Sequence, residues 1–139
     1  GGSNKLLTAV ISAANSYIAN DTATAAKELM DIDVSSLPTD DAKKLYNTIA
    51  EAAMKPAANE FYTQGTTAYN KADYTTAATA FVNAYKCDST KAEAAYYAAK
   101  SYVALNQTED AKKYYQYIVD GFRSSSYYSE ANAYVTSHS

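Results

Sequence analysis

The chain of 139 residues contains one cysteine, one histidine, two prolines, four glycines and no tryptophan. Cys87 alone excludes an internal disulfide and a cysteine-rich metal site, while leaving the redox compartment open. Beside Asp88 in a turn, its thiol is expected to sit above the ordinary pKa and to be unreactive. His138, one residue from the end, has no second imidazole with which to build a metal or catalytic set, and reads as tail. No apolar run approaches the roughly 20 residues needed to cross a bilayer, and no glycine loop could cradle a phosphate. Basic residues never run beyond the pairs Lys43-Lys44 and Lys112-Lys113, and the net charge is -3, so nucleic acid and anionic membrane surfaces are disfavoured partners. Glu28, Asp31 and Asp33 gather near a helix end without the glycine-containing loop of a calcium site, and read as solvated surface. No catalytic residue, metal or cofactor is expected. Gly1-Gly2-Ser3, with no Met, reads as a cloning remnant on a shortened protein, compatible with a removed signal or anchor.

Hydrophobic residues make up 47% and charged residues 19%, so the polarity comes largely from Ser, Thr, Asn and Tyr. That balance suits one folded domain spanning residues 4–139. Leu6, Leu7, Val10, Ile11, Ala14, Tyr17 and Ile18 recur at three and four, the spacing of one helical face. Asn20-Asp21 breaks that helix, and Asp21 can cap a second one burying Ala25, Ala26, Leu29 and Met30, which makes 6–38 a helix hairpin. Pro38 stops helical continuation from Leu37, and Thr39-Asp40-Asp41 opens a linking helix over 39–57 with Ala42, Leu45, Tyr46, Ile49, Ala52 and Ala53 inward. At Lys55-Pro56 no capping residue is present, so a kink in a continuing helix is preferred over two separate helices. Asp73 caps the next helix, Asn106-Gln107 marks another turn, and Gly121 is a stop. Ser124 to Ser126 can cap a last helix within 126–137, with Glu130 available for a capping box if Tyr127 is its first residue. Period-two alternation is nowhere sustained, so no sheet is expected.

The chain also matches itself. Ala77 and Ala111 stand 34 positions apart, as do Phe81 and Tyr115, and Tyr62 and Tyr96. A helix pair repeated every 34 residues or so is the signature of tetratricopeptide repeats. Residues 58–91 resemble that family, with Phe61 at its leading aromatic, Gly65 at its glycine, and Ala77, Phe81 and Ala84 at its second-helix core. Residues 92–125 resemble it less fully: Ala99 replaces the glycine, Tyr102, Ala111 and Tyr115 fit, Ile118 departs, and Ser89 and Arg123 stand where each unit's final proline would be. Tyr17, Ala26 and Pro38 fit a degenerate first unit whose register slips by about half a repeat across 39–57. The last helix would then cap the stack. The ending VDGFRSSSYYSEANAY is similar to repeat junctions of bacterial cell-envelope tetratricopeptide lipoproteins, which points to an extracytoplasmic, envelope-associated location.

The resemblance implies an all-α, right-handed stack of antiparallel helix hairpins, with about seven to eight helices. It also implies a non-enzymatic interaction module whose first helices line a concave face for an extended peptide or partner helix. Carried onto this sequence, that lining is Asn59, Tyr62, Thr66, Tyr69 and Asn70 from one unit and Glu93, Tyr96, Lys100 and Val103 from the next, with Tyr134 extending it. Tyr62 and Thr66 stand where the family's carboxylate-gripping version needs Lys and Asn, which argues against acidic C-terminal peptides. The plain account of the 15 tyrosines is that they replace Phe and Trp in a core and reach solvent by their hydroxyls; the sharper one places some of them on the concave face. Adjacent pairs such as Tyr96-Tyr97, Tyr114-Tyr115 and Tyr127-Tyr128 point about 100° apart and are not both expected to face inward. A tyrosine-lined groove favours apolar or glycan-like partners. A glycan-binding or peptidoglycan-binding envelope domain, or a regulatory domain of a larger enzyme, are the alternative readings.

Overall fold

The computed structural model of the chain describes residues 2–138, with side chains from residue 5 onward. Seven α-helices and one 3-10 turn account for the described residues: α1 Gly2–Ile18, α2 Thr22–Leu29, the turn Val34–Ser36, α3 Asp40–Asn70, α4 Tyr74–Cys87, α5 Ala92–Ala104, α6 Thr108–Gly121 and α7 Tyr128–Ser137. No strand occurs among them. The chain divides into two compact units, Gly1–Glu60 and Phe61–Ser139, the boundary falling inside α3. Within the units successive helices pack on their chain neighbours, α1 on α2 in the first, and α4 on α5, α5 on α6 and α6 on α7 in the second. The fold is all-α and of the helical-repeat, solenoid-like kind.

In the first unit α1 buries Val10 and Ala13, with Leu6 and Tyr17 packed beside them. These four lie on a narrow arc at 100° per residue. Ile11 and Ile18, expected on the inner face, are instead 47% and 78% exposed. The apolar stripe of α1 is wider than the surface packed against it, so its flank stays in solvent. Asp21 caps α2 by accepting from the Thr24 amide at 3.1 Å, and Ala25, Ala26 and Leu29 are buried while Met30 is half-buried. Ser16 donates to the Glu28 carboxylate at 2.8 Å across the hairpin. Asp33 accepts from the Ser35 amide and from the hydroxyls of Ser35 and Ser36, closing the 3-10 turn. Two members of the acidic patch are thus occupied in local structure. Leu37 is extended ahead of Pro38, and Thr39 accepts from the Ala42 amide at 3.0 Å to start α3. The helix continues through Pro56, the preferred reading of that proline, although the Ala52 carbonyl loses its amide donor there.

The second unit repeats itself in its backbone. Helices α4 and α6 begin and end 34 positions apart, and so do the ends of α3 and α5. Between each pair the chain makes one left-handed step, at Ala72 (φ 61°) and at Asn106 (φ 61°). At both turns the hydrogen bonds coincide: the amides of Asp73 and Gln107 reach the carbonyls of Ala68 and Tyr102 at 2.9 Å, and those of Ala72 and Asn106 reach Tyr69 and Val103 at 3.0 Å. This is the Schellman closure of a helix end. The α1–α2 turn uses it too, with Asn20 at φ 64° and the same two bonds from Asp21 and Asn20 to Ser16 and Tyr17. Asn20 precedes Ala72 by 52 positions, against 34 between Ala72 and Asn106.

Gly65 meets Phe81 where α3 crosses α4, and Ala77, Ala84, Ala95, Ala98 and Ala99 are all fully buried around this contact. Small side chains let the axes approach while Phe61, Phe81, Tyr115 and Ile118 fill the space between hairpins. Both members of the adjacent pair Tyr114-Tyr115 are buried, contrary to expectation. The reason is that α6 is covered on two sides: Tyr114 packs on Tyr85 and Tyr102, and Tyr115 on Tyr96 and Tyr134. Gly121 ends α6 without using a positive φ, the amide of Phe122 closing the last turn on Ile118.

Candidate functional site

On α3 the residues Tyr62, Thr66, Tyr69 and Asn70 are spaced i, i+4, i+7 and i+8, one stripe of a helix. Their stripe forms one wall of a pocket of about 170 Å³ whose other lining residues are Phe81 of α4 and Tyr97 of α5. Four of the ten residues assigned to the groove from sequence therefore converge on one cavity. Phe81 and Tyr97 stack at 5.6 Å and 28°. Tyr62 and Tyr69 each stand edge-on to both of them, with centroids 5.5 to 6.4 Å apart. Such edge-to-face contacts fix ring positions beyond what buried area alone would do. Thr66 turns its hydroxyl back onto the Tyr62 carbonyl at 2.9 Å, so that donor is engaged within the helix. No charged residue lines the pocket. Burial first, then the neighbouring Tyr97, Glu93 and Tyr127, push the Tyr62 phenol above its ordinary pKa, so it stays a neutral donor.

Tyr97 escaped the sequence reading because only one member of the Tyr96-Tyr97 pair was assigned to the groove. The other member turns toward α4 and completes the floor. The 34-residue offset that pairs it with Thr63 gave no hint of this.

Tyr96, Lys100 and Tyr134 lie in a second cluster centred on Glu130 of α7. Its carboxylate accepts from the Tyr96 hydroxyl at 3.0 Å and from the Tyr115 hydroxyl at 2.8 Å, and the Lys100 ammonium lies 3.5 Å away. Burial would raise the Glu130 pKa, but the two hydroxyls and Lys100 together outweigh it and hold the group below the ordinary carboxylate value. Tyr127 stacks on Tyr96 at 4.2 Å, and Tyr134 leans on Tyr115 at 4.8 Å. Glu130 is therefore not the capping-box residue expected of it, since α7 starts at Tyr128 and its N-cap Tyr127 makes no side-chain bond. The interhelical partners hold its carboxylate away from the local backbone. Glu93 pairs with Lys91 at 3.4 Å, and the Lys91 ammonium lies 5.0 Å from the Tyr62 ring centroid. Val103 is 40% exposed, and Asn59 is exposed on α3 within the first unit. His138, read as tail, ends α7 and stacks on Tyr134 at 3.9 Å.

Two further features have simpler accounts. A broader hollow of about 350 Å³ includes Thr63, Thr67, Asp73 and Thr76, but Thr67 donates to the Thr63 carbonyl and Asp73 caps α4 through the Thr76 amide. The Thr67 hydroxyl and the Asp73 carboxylate are thus already engaged in holding helices, while Gln64 and Lys71 complete the rim. Cys87 is half-buried, and burial together with Asp88 pushes its thiol up to about 11, which removes the thiolate needed for reactivity near neutral pH. Among the described residues no three potential ligands gather into a metal site, and no helix is long and apolar enough to cross a membrane.

No protein-family model matches the chain, and neither a curated protein nor a solved structure does.

Proposed function

We propose that the chain is a tetratricopeptide-like interaction module that holds a peptide or partner helix, without catalysis, on the first-helix face of its second unit. The observation that carries this reading is the pocket of Tyr62, Thr66, Tyr69, Asn70, Phe81 and Tyr97, which lies on the helix stripe that such repeats present to partners. The 34-residue spacing of helix ends and of the left-handed turns at Ala72 and Asn106 supports the repeat assignment. At about 170 Å³ the cavity is smaller than the roughly 300 to 1,000 Å³ of small-molecule sites, which suits one anchoring side chain of a larger partner. Glycan stacking on the tyrosines is less favoured, because Tyr96 is stacked by Tyr127 and the rings around Phe81 are engaged with one another. The envelope placement rests on the VDGFRSSSYYSEANAY junction alone.

The test is selection of peptides from a displayed random library on the immobilised chain, followed by binding to a Tyr62→Ala/Tyr69→Ala variant of unchanged helical circular dichroism. Selected peptides should lose at least about tenfold in affinity, a step of about 1.4 kcal/mol. Equal binding to the variant would place the interaction elsewhere and overturn the reading.

A further inference from the structure

The pocket of Tyr62, Thr66, Tyr69, Asn70, Phe81 and Tyr97 sits at one repeat position whose equivalents carry different side chains. Thr66 lies between Tyr62 and Tyr69, whose backbone positions are about 10 Å apart along the helix axis. Its counterparts 34 and 68 positions on are Lys100 and Tyr134, long side chains that are drawn into the cluster around Glu130 and Tyr115. A short side chain at position 66 is thus what leaves the slot open. The space, about 170 Å³, is that of about five or six waters, enough for a single compact group and no more.

Charge narrows the guest. No acidic or basic residue lines the slot, so neither an anion nor a cation would find a counter-charge there. A cation would also meet the Lys91 ammonium already placed over the Tyr62 ring. A neutral guest remains. Hydrogen bonding narrows it further: among the described residues the hydroxyls of Tyr62, Tyr69 and Tyr97 and the Asn70 amide make no intramolecular hydrogen bond. Three phenols and one amide thus belong to the residues that line an aromatic-walled slot. A polyproline-II segment presents the matching pattern, compact apolar rings, carbonyl acceptors with no internal partners, and few backbone amides that would need acceptors in return. Its extended backbone is already ordered, so docking on pre-positioned rings costs little entropy.

Resting on the interaction-module reading, we propose that the slot between Tyr62 and Tyr69 takes a proline ring of a polyproline-II segment in a partner protein, and that Thr66 sets this specificity. The test uses the full chain and an oligoproline peptide, with ring proton shifts of the tyrosines and binding isotherms as readouts, against a peptide in which alanine replaces every second proline. Oligoproline should shift Tyr62, Tyr69 and Tyr97 and bind at least about tenfold tighter than the alanine-containing peptide. Thr66→Lys, which installs the residue found at the equivalent position 100 on an exposed site, should abolish binding without changing the helical spectrum. Binding unchanged in Thr66→Lys overturns the slot as the site. If library-selected peptides lacking proline occupy the same tyrosines while oligoproline does not, the proline assignment falls and the interaction module stands. If neither class binds, both fall.

Discussion

Gly65 faces Phe81 so closely that a methyl group on Gly65 would stand 2.8 Å from the ring carbons Cδ1 and Cε1. Glycine inside a helix ordinarily costs about 1 kcal/mol relative to alanine, so Gly65→Ala at an open site would stabilise. Here the ring is 1% exposed and held by contacts with Tyr62, Tyr69 and Tyr97, which resist its displacement. Overpacking at about 1 to 3 kcal/mol should win, leaving Gly65→Ala less stable in chemical denaturation. Made in a Phe81→Leu background the same change should cost less, and that coupling distinguishes a ring clash from a general helix effect.

At Ala72 the sign reverses. Its φ of 61° is the left-handed region, which costs a residue with a Cβ roughly 1 to 2 kcal/mol. Asn20 and Asn106, at the equivalent steps of the other two Schellman turns, are residues that tolerate this conformation. Ala72→Gly should therefore raise stability by about 0.5 to 1 kcal/mol, part of the relief being returned as unfolded-chain entropy. A thermal melt shifted upward, with pocket binding unaltered, is the expected result.

These two positions show what was readable beforehand. Gly65 carried its meaning in sequence because the repeat resemblance placed it and Phe81 at positions where the two helices of a hairpin touch. The turn at Ala72 was expected from Asp73, but alanine gives no sign of a left-handed backbone; only the two equivalent asparagines do. The stripe Tyr62, Thr66, Tyr69 and Asn70 was legible as a helix face. Phe81 was legible as core rather than as a pocket wall, and Tyr97 was hidden by its neighbour. Glu130 was misread for a local reason: three positions beyond Tyr127 it satisfies a capping pattern, while its true partners, Tyr96 and Tyr115, come from two other helices. Long-range hydrogen bonds of this kind leave no periodic trace.

Glu130 also makes the acid side of the stability profile. Its folded pKa lies below the ordinary 4.5, so its contribution is complete above that value and disappears as the pH falls through the lowered one. With the Glu130 side chain 46% exposed, solvent screening keeps this below about 1 kcal/mol. Glu130→Gln should be modestly less stable than the parent at neutral pH and lose less on acidification. Denaturant midpoints of the two proteins that draw together as the pH falls below 4.5 are the expected outcome.

On the alkaline side the tyrosines of α6 set the limit. Tyr114 is 6% exposed, and burial, aided by the neighbouring Tyr102, Tyr117, Asp110 and Tyr85, pushes its phenol up to about 12 from an ordinary 10. Tyr115, 3% exposed and bonded to the Glu130 carboxylate, is raised as well, first by burial and then by that bond. For both, the neutral form belongs to the folded state. Their contribution is whole below pH 10 and is lost as the pH rises above it, because the unfolded chain releases its protons first. For Tyr114 alone that rise corresponds to a few kcal/mol, a large share of a domain's margin. Unfolding should accordingly set in between pH 10 and about 12, with the last tyrosinate absorbance appearing together with the loss of helical circular dichroism. Tyr114→Phe removes that titration without removing the ring, and should move the alkaline transition upward; an unmoved transition would mean that other groups govern it.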